Sequence, residues 1–224
     1  GQSWRWTMPP NWNYGDAWEQ FPIEQGEVWG IPANGSKVSV HNLFDPLPEF
    51  MKSADMLFVD PPWNQGNVNT FYTKAGRTDY IKDFSDFERA FFQRVQDINP
   101  ATCYIEIGFQ AVDRWQSLLA SMYPVVQKWD VVYYRKHRCH ILRGSRSGSI
   151  DFDYTGMDEA KVIAKAGEIE QYGVLGDICM GRGLVGMSAF SAGKPFVGTE
   201  LNKRRLACLL QKVAQKGATV QKYG

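Results

Sequence analysis

Residues 54–63 read ADMLFVDPPW: an apolar, β-rich run from Met56 to Val59 closed by Asp60-Pro61-Pro62-Trp63, and this stretch decides the fold. Four apolar residues bounded by turn formers read as a buried strand. Upstream, KVSVHN from Lys37 is a second such run, separated from the first by a Pro-punctuated stretch. Downstream, Phe87, Phe91, Val95 and Ile98 recur every three or four residues until Asn99-Pro100 stops them, the pattern of an amphipathic helix. TCYIEIG then reads as a strand, AVDRWQSLLASMY as a helix, and VVQKWDVVYYRK with HRCHILRG as a pair of strands near one sheet edge. YGVLGDICM reads as a strand, GRGLVGMSAFSAG as a glycine-rich turn entering a helix, and KPFVGTE as another strand. A last helix from Asn202 carries Leu206, Leu209, Leu210 and Val213 on one face. Strands alternating with helices predict an α/β fold, a mainly parallel sheet with helices on both faces.

The 224 residues suit one core rather than two, and 44% hydrophobic, 22% charged and 14% aromatic residues are globular values. No apolar run is long enough to span a membrane. The opening GQSWRWTMPPNWNY lacks the basic-then-apolar build of a secretion signal, so a cytoplasmic location is expected. Cys103, Cys139, Cys179 and Cys208 stand far apart without a CxxC pair, which suggests neither a zinc ribbon nor a disulfide framework. A net charge of +1 excludes nucleic-acid binding by bulk charge. Residues 1–36 hold five of the eight tryptophans (Trp4, Trp6, Trp12, Trp18, Trp29) among Pro, Asn and Gly, and read as an irregular arm whose rings pack onto the domain. Residues 37–224 are then a single domain, with the mainly acidic, weakly patterned stretch 145–170 a substrate-side insertion outside the core elements.

In open α/β sheets ligands bind at the carboxyl ends of strands, and three such ends carry unusual residues. Pro61 and Pro62 stiffen the loop after the MLFV strand and supply no N–H, so it offers only carbonyl oxygens beside the Asp60 carboxylate. An aromatic amino group, with two N–H bonds to donate, suits that site, and Trp63 offers a flat face for a planar base. Asp177-Ile-Cys-Met-Gly181-Arg-Gly183 is a strand end running into a glycine turn and helix; such a turn lets a ligand approach the backbone, though alone it also fits a tightly packed turn. Glu200 closes the next strand, where a carboxylate can accept both ribose hydroxyls while making little core contact; Asn202 beside it is a good helix cap.

DPPW resembles the catalytic motif of the S-adenosylmethionine-dependent amino-methyltransferases that act on nucleic-acid bases. Its tryptophan form resembles the adenine-N6 branch, which includes the messenger-RNA adenosine methyltransferase family and its bacterial and phage DNA methyltransferase relatives. The resemblance covers roughly residues 37–216. It implies a Rossmann-like methyltransferase fold, S-adenosyl-L-methionine as cofactor, and methyl transfer to the N6 amine of adenine. Asp60 and the Pro61 carbonyl then hold the amine within the rigid Pro61-Pro62 loop, and Trp63 packs on the flipped base. Asp177, Gly181, Gly183, Glu200 and Asn202 are implied cofactor residues, although Met180 and Cys179 depart from the family's usual D-x-F-x-G-x-G loop. DPPW precedes the glycine loop here, matching a circularly permuted order in which the catalytic strand comes before the cofactor strands. Asn42 and Leu43 then fall where the family places an acidic residue and its neighbour against the cofactor adenine, with Asp45 the alternative if the register shifts by three. Asp60 is implied to contact the cofactor amine as well.

Arg135, Lys136, Arg138, Arg143 and Arg146 form the one concentrated positive segment, readable as a phosphate-contacting edge or as a solvated strand edge. Lys74 and Arg77 sit in the loop after DPPW, which could close over substrate, so Lys74, Arg77, Arg135 and Arg138 are the candidate substrate contacts. No metal is expected: His137, Cys139 and His140 lack a fourth ligand at metal spacing. By family analogy DNA is favoured over RNA, in a bacterial or phage-infected cell. RNA adenosine or cytosine-N4 methylation and a non-catalytic nucleic-acid-binding subunit are the alternatives. With little chain left for target recognition, sequence choice is expected to be short or to fall to a homodimer mate or partner subunit.

Overall fold

The computed structural model describes residues 14–77, 83–133 and 136–224. In chain order the strands are β1 (Val28–Ile31), β2 (Ser36–Val40), β3 (Met56–Val59), β4 (Thr102–Ile107), β5 (Val125–Tyr133), β6 (His137–Ser145), β7 (Leu175–Asp177), β8 (Phe196–Glu200) and β9 (Gln221–Tyr223). The helices are α1 (Ala17–Gln20), α2 (Gln65–Lys74), α3 (Phe84–Ile98), α4 (Val112–Ala120), α5 (Glu159–Glu170), α6 (Leu184–Ser191) and α7 (Lys203–Gln215). All strands join one sheet in the order β5-β6-β4-β3-β7-β8-β2-β1-β9.

The expected mainly parallel sheet is in fact mixed. Five central strands, β4-β3-β7-β8-β2, run parallel, but β6 at one side pairs antiparallel with both β4 and β5, and β1 at the other pairs antiparallel with both β2 and β9. Short connections force this, because parallel neighbours need a long crossover and the β1–β2 and β5–β6 links have only a few residues. The stretch 1–36 is likewise not wholly irregular. Residues 1–13, with Trp4, Trp6 and Trp12, lie outside the described ones, but the remainder forms α1 and strand β1, which lies between β2 and β9, and Trp18 packs against the cluster of Tyr14, Ala17, Ala207 and Cys208.

Alternation along β3 sends Leu57 and Val59 to one face of the sheet and Met56 and Phe58 to the other. On the first face α3 and α4 contribute Phe87, Phe91, Val95, Trp115 and Leu119; on the second α5, α6 and α7 contribute Val162, Ala189, Leu206 and Leu210. Asp83 caps α3 by accepting from the Ser85 N–H, and Asn99, at φ 56°, ends it before Pro100. Residues 145–170 do not stand outside the core: Tyr154, Val162, Ile163 and Ala166 are buried in the second face, and the Tyr154 hydroxyl meets that of Tyr104 at 3.0 Å. Among the described residues no helix is long and apolar enough to cross a membrane.

Parallel pairing sets the active end of the sheet. β3, β7, β8 and β2 point the same way, so Asp60, Asp177, Glu200 and His41 all emerge at one edge. Val40 pairs with Glu200, so the carboxyl ends of β2 and β8 are neighbours.

Candidate active site

A cleft of about 620 Å³ opens at these strand ends. It is lined by Asp60 and Pro62, by Asp177 to Arg182, by Glu200 and Leu201, by His41 and Leu43 after β2, and by Phe71, Tyr72 and Lys74 from α2. Asp60 is gripped by the indole of Trp63, whose Nε1–H donates to Asp60 Oδ1 at 3.1 Å and to the Glu106 carbonyl at 3.2 Å. That ring packs onto Gly108 so tightly that a Cβ there would lie 2.8 Å from Trp63 Cε3, and it meets Tyr133 edge-on at 5.2 Å. Trp63 is therefore turned towards Asp60 and the β4 backbone, and Tyr133, which it meets, is one of the aromatic residues that line the cleft. Pro61 is buried beneath the loop. Burial, and then the charge of Glu159, raises the Asp60 carboxyl well above the usual range, against the pull of the Trp63 hydrogen bond.

The glycine turn and Glu200 form one unit. Glu200 Oε1 accepts from the Gly181 N–H at 2.7 Å and Oε2 from the Asn202 N–H at 2.8 Å, so this carboxylate is a bolt between the β7 and β8 loops, and not the contact-poor group expected. Each oxygen keeps a further lone pair for a ligand. Gly181 is left-handed at φ 54° and faces the cleft. Gly183, at φ 88°, does not line it; a Cβ there would meet Leu209 at 2.6 Å, so this glycine lets α6 lie against α7. Asp177 accepts from the Cys179 N–H at 2.9 Å, and burial raises its carboxyl well above the usual range.

Several candidates have other work. The Asn202 side chain caps α7 through the Arg204 and Arg205 N–H groups and donates to Tyr14 Oη and the Lys74 carbonyl. Asn42 is buried and accepts from the Tyr72 hydroxyl at 2.8 Å and the Phe44 N–H, which leaves its neighbour Leu43 on the cleft wall; the alternative, Asp45, is exposed. Lys74 is not in a loop: it is the last residue of α2, a helix with only Val68 and Tyr72 buried, capped by Asn64 accepting from the Asn67 N–H. Burial, with Arg205 and Arg182 near, lowers the Lys74 ammonium below its usual range. Arg77 follows that helix and does not line the cleft. Arg135 lies outside the described residues, and Arg138 is exposed on β6 away from the cleft lining. Arg143 is no phosphate contact: it is buried, paired with Glu170 at 2.8 Å and hydrogen-bonded to Gln127 and the Gly148 carbonyl. Arg146 is likewise occupied, lying over the Tyr123 ring and bonding Asn99.

Sequence reading missed His41, Arg205, Glu106 and Glu159. His41 Nδ1 and Arg205 Nη1 are buried without a hydrogen-bond partner, and both residues line the cleft. Glu106 carried a signal, an acid inside the wholly buried strand TCYIEI, where only function or a partner explains a charge. Carboxylate oxygens of Asp60, Glu106 and Glu159 lie within 4.8 Å of one another, a grouping that could also hold a cation.

No protein-family profile and no curated protein sequence matches the chain. Solved structures do. TTHA0409 of Thermus thermophilus, assigned as a DNA modification methylase and solved with S-adenosyl-L-methionine, superimposes with a TM-score of 0.56 at 12% identity, covering 80% of this chain and 93% of its own. The M1.HpyAVI–SAM complex superimposes with a TM-score of 0.52 at 12% identity over 78% of this chain and 98% of that one. The chain thus shares the α/β fold of these proteins.

Proposed function

We propose that this protein is an S-adenosyl-L-methionine-dependent methyltransferase that methylates the exocyclic N6 amine of adenine in DNA, on a circularly permuted Rossmann-like fold. One observation carries the reading: the DPPW carboxylate, oriented by its own tryptophan, and the Gly181–Glu200 unit line one and the same cleft. The Val40–Glu200 pairing supports the permutation, and the neighbours solved with the cofactor support its choice. DNA as substrate rests on the assignment of TTHA0409 and on the motif's family. A second copy or a partner subunit for target recognition is part of the same proposal.

The cleft fits the cofactor on its own chemistry. Its volume is that of a small-molecule site, its walls mix Leu43, Phe71 and Met180 with the four carboxyl groups of Asp60, Glu159, Asp177 and Glu200, and two buried polar atoms there await partners. Glu200 would hold the ribose hydroxyls, Leu43 would flank the base, and Arg205 and Lys74 would face an anionic group. When bound, the cofactor supplies an electrophilic methyl group. Asp60 accepts a hydrogen bond from the target amine and thereby aims the nitrogen lone pair. The Trp63 N–H fixes which Asp60 oxygen does so, and Tyr133 offers the planar base an aromatic surface. Incubation with labelled cofactor and DNA, followed by nucleoside mass spectrometry, tests the assignment: N6-methyladenine is expected, and methyl on cytosine N4 or only on RNA adenosine would redirect it.

A further inference from the structure

Behind Asp60 stands a carboxylate that the DPPW motif does not include. Glu106 projects from β4 with no exposed surface, accepts from the Cys139 thiol at 3.4 Å through Oε1, and has no partner for Oε2. Glu159, the first residue of α5, reaches the same point from the other side and lines the cleft. Its helix is set there by the Asp158 cap, which accepts from the Lys161 N–H, and by pairing of Asp158 with Val132 of β5.

We propose that Asp60, Glu106 and Glu159 share one proton as a triad, with Glu106 a positioning residue and cleft-facing Glu159 an acceptor for the proton that a methylated amine must lose. This deepens the methyl-transfer reading and rests on it. Three oxygens within 4.8 Å of one another in a desolvated site do not all carry charge, so one group stays neutral. Glu106 is that group by its place: it has no exposed surface, whereas Asp60 and Glu159 both line the cleft. Burial, and then the charges of Asp60 and Glu159, push its carboxyl up to about 10. The surroundings favour this state: Asp177 raises Asp60 further and Asp158 raises Glu159, while Cys139 is held as a neutral thiol by burial. Arg205 and the Trp63 N–H are the opposing influences on Asp60.

Methylation leaves the amine nitrogen with one proton too many. An N–H bond then breaks, its electron pair stays on nitrogen, and the proton forms an O–H bond on the triad. Because Asp60 and Glu159 both line the cleft, the proton can pass on to solvent without crossing the core.

The test begins without cofactor or DNA. At about neutral pH the wild-type protein is expected to show a carboxylic-acid carbonyl band in its infrared spectrum that is lost in Glu106→Gln. In Glu159→Gln that band is expected to titrate at lower pH, since one like charge has gone. Single-turnover methyl transfer by Glu159→Gln is expected to slow at least about tenfold, with its pH profile displaced the same way, and Glu159→Asp to restore the profile more fully. Absence of the band, or a band that titrates unchanged in Glu159→Gln, overturns the triad. Saturable Mn²⁺ binding lost in Glu106→Gln also overturns it, making the cluster a cation site. Should Glu106→Gln fail to fold, Glu159→Gln decides alone, because its side chain is only half-buried at a helix start. The band without methyl transfer to any nucleic acid keeps the shared proton and overturns its accepting role together with the functional reading.

Discussion

Replacing Glu200 by alanine separates the two tasks the structure gives that carboxylate. The side chain accepts from Gly181 at 2.7 Å and from Asn202 at 2.8 Å, both backbone N–H groups on loops that shape the cleft. Hydrogen bonds to a charged acceptor contribute about 1.5 to 3 kcal/mol each, a ceiling of about 3 to 6 kcal/mol for the pair. Gly181 borders the open cleft, so water can replace its lost partner, and a net loss of about 2 to 4 kcal/mol is expected. For a chain of this length each kcal/mol lowers the melting temperature by about 2 to 4 °C. Calorimetric melting should therefore fall by several degrees, and titration with S-adenosyl-L-methionine well below the transition should show weakened binding. Glu200→Gln keeps one acceptor oxygen and should lose roughly half the stability. An unchanged melting temperature in Glu200→Ala refutes the bolt between the loops; unchanged cofactor affinity in the folded variant refutes the cofactor site.

Arg143→Ala leaves Glu170 buried and unpaired and should cost about 3 to 5 kcal/mol in urea unfolding, while DNA affinity at fixed salt stays unchanged once folding is accounted for. Gly183→Ala combines a left-handed backbone with a Cβ placed 2.6 Å from Leu209, so thermal melting should show a loss of about 1 to 3 kcal/mol. The buried acid Glu106 gives a pH signature: with its carboxyl raised from 4.5 to about 10, its favourable contribution is complete below about pH 4.5 and fades as pH rises towards 10. Urea midpoints should accordingly fall less steeply with rising pH in Glu106→Gln than in wild type, and equal slopes would remove the buried neutral acid.

Much of the site was legible because open α/β sheets put their chemistry at strand ends, and Asp60, Gly181 and Glu200 each follow a strand readable from its apolar run. α2 was not, since its ten residues are mostly Asn, Thr, Gln and Gly, with Val68, Phe71 and Tyr72 giving barely one turn of a helical period. Strands β1 and β9, the last two at one side of the sheet, are four and three residues long, too short for alternation to register. Arg143 misled for a different reason. The other described basic residues of its segment, Lys136, Arg138 and Arg146, are exposed, and only the fold brings Glu170, from a helix 27 residues away, to neutralise it. Glu106 and Glu159 are joined to Asp60 by tertiary structure alone, across β4 and α5. No spacing rule links them.

The central claim is chemical, and a single-turnover reaction with methyl-labelled S-adenosyl-L-methionine and DNA tests it most directly, comparing wild type with Asp60→Ala after digestion to nucleosides. Label on adenine N6 in wild type, lost in an Asp60→Ala protein that remains folded and still binds the cofactor, is the expected result. Undiminished transfer by Asp60→Ala, or wild-type label on a protein side chain instead of a base, contradicts it.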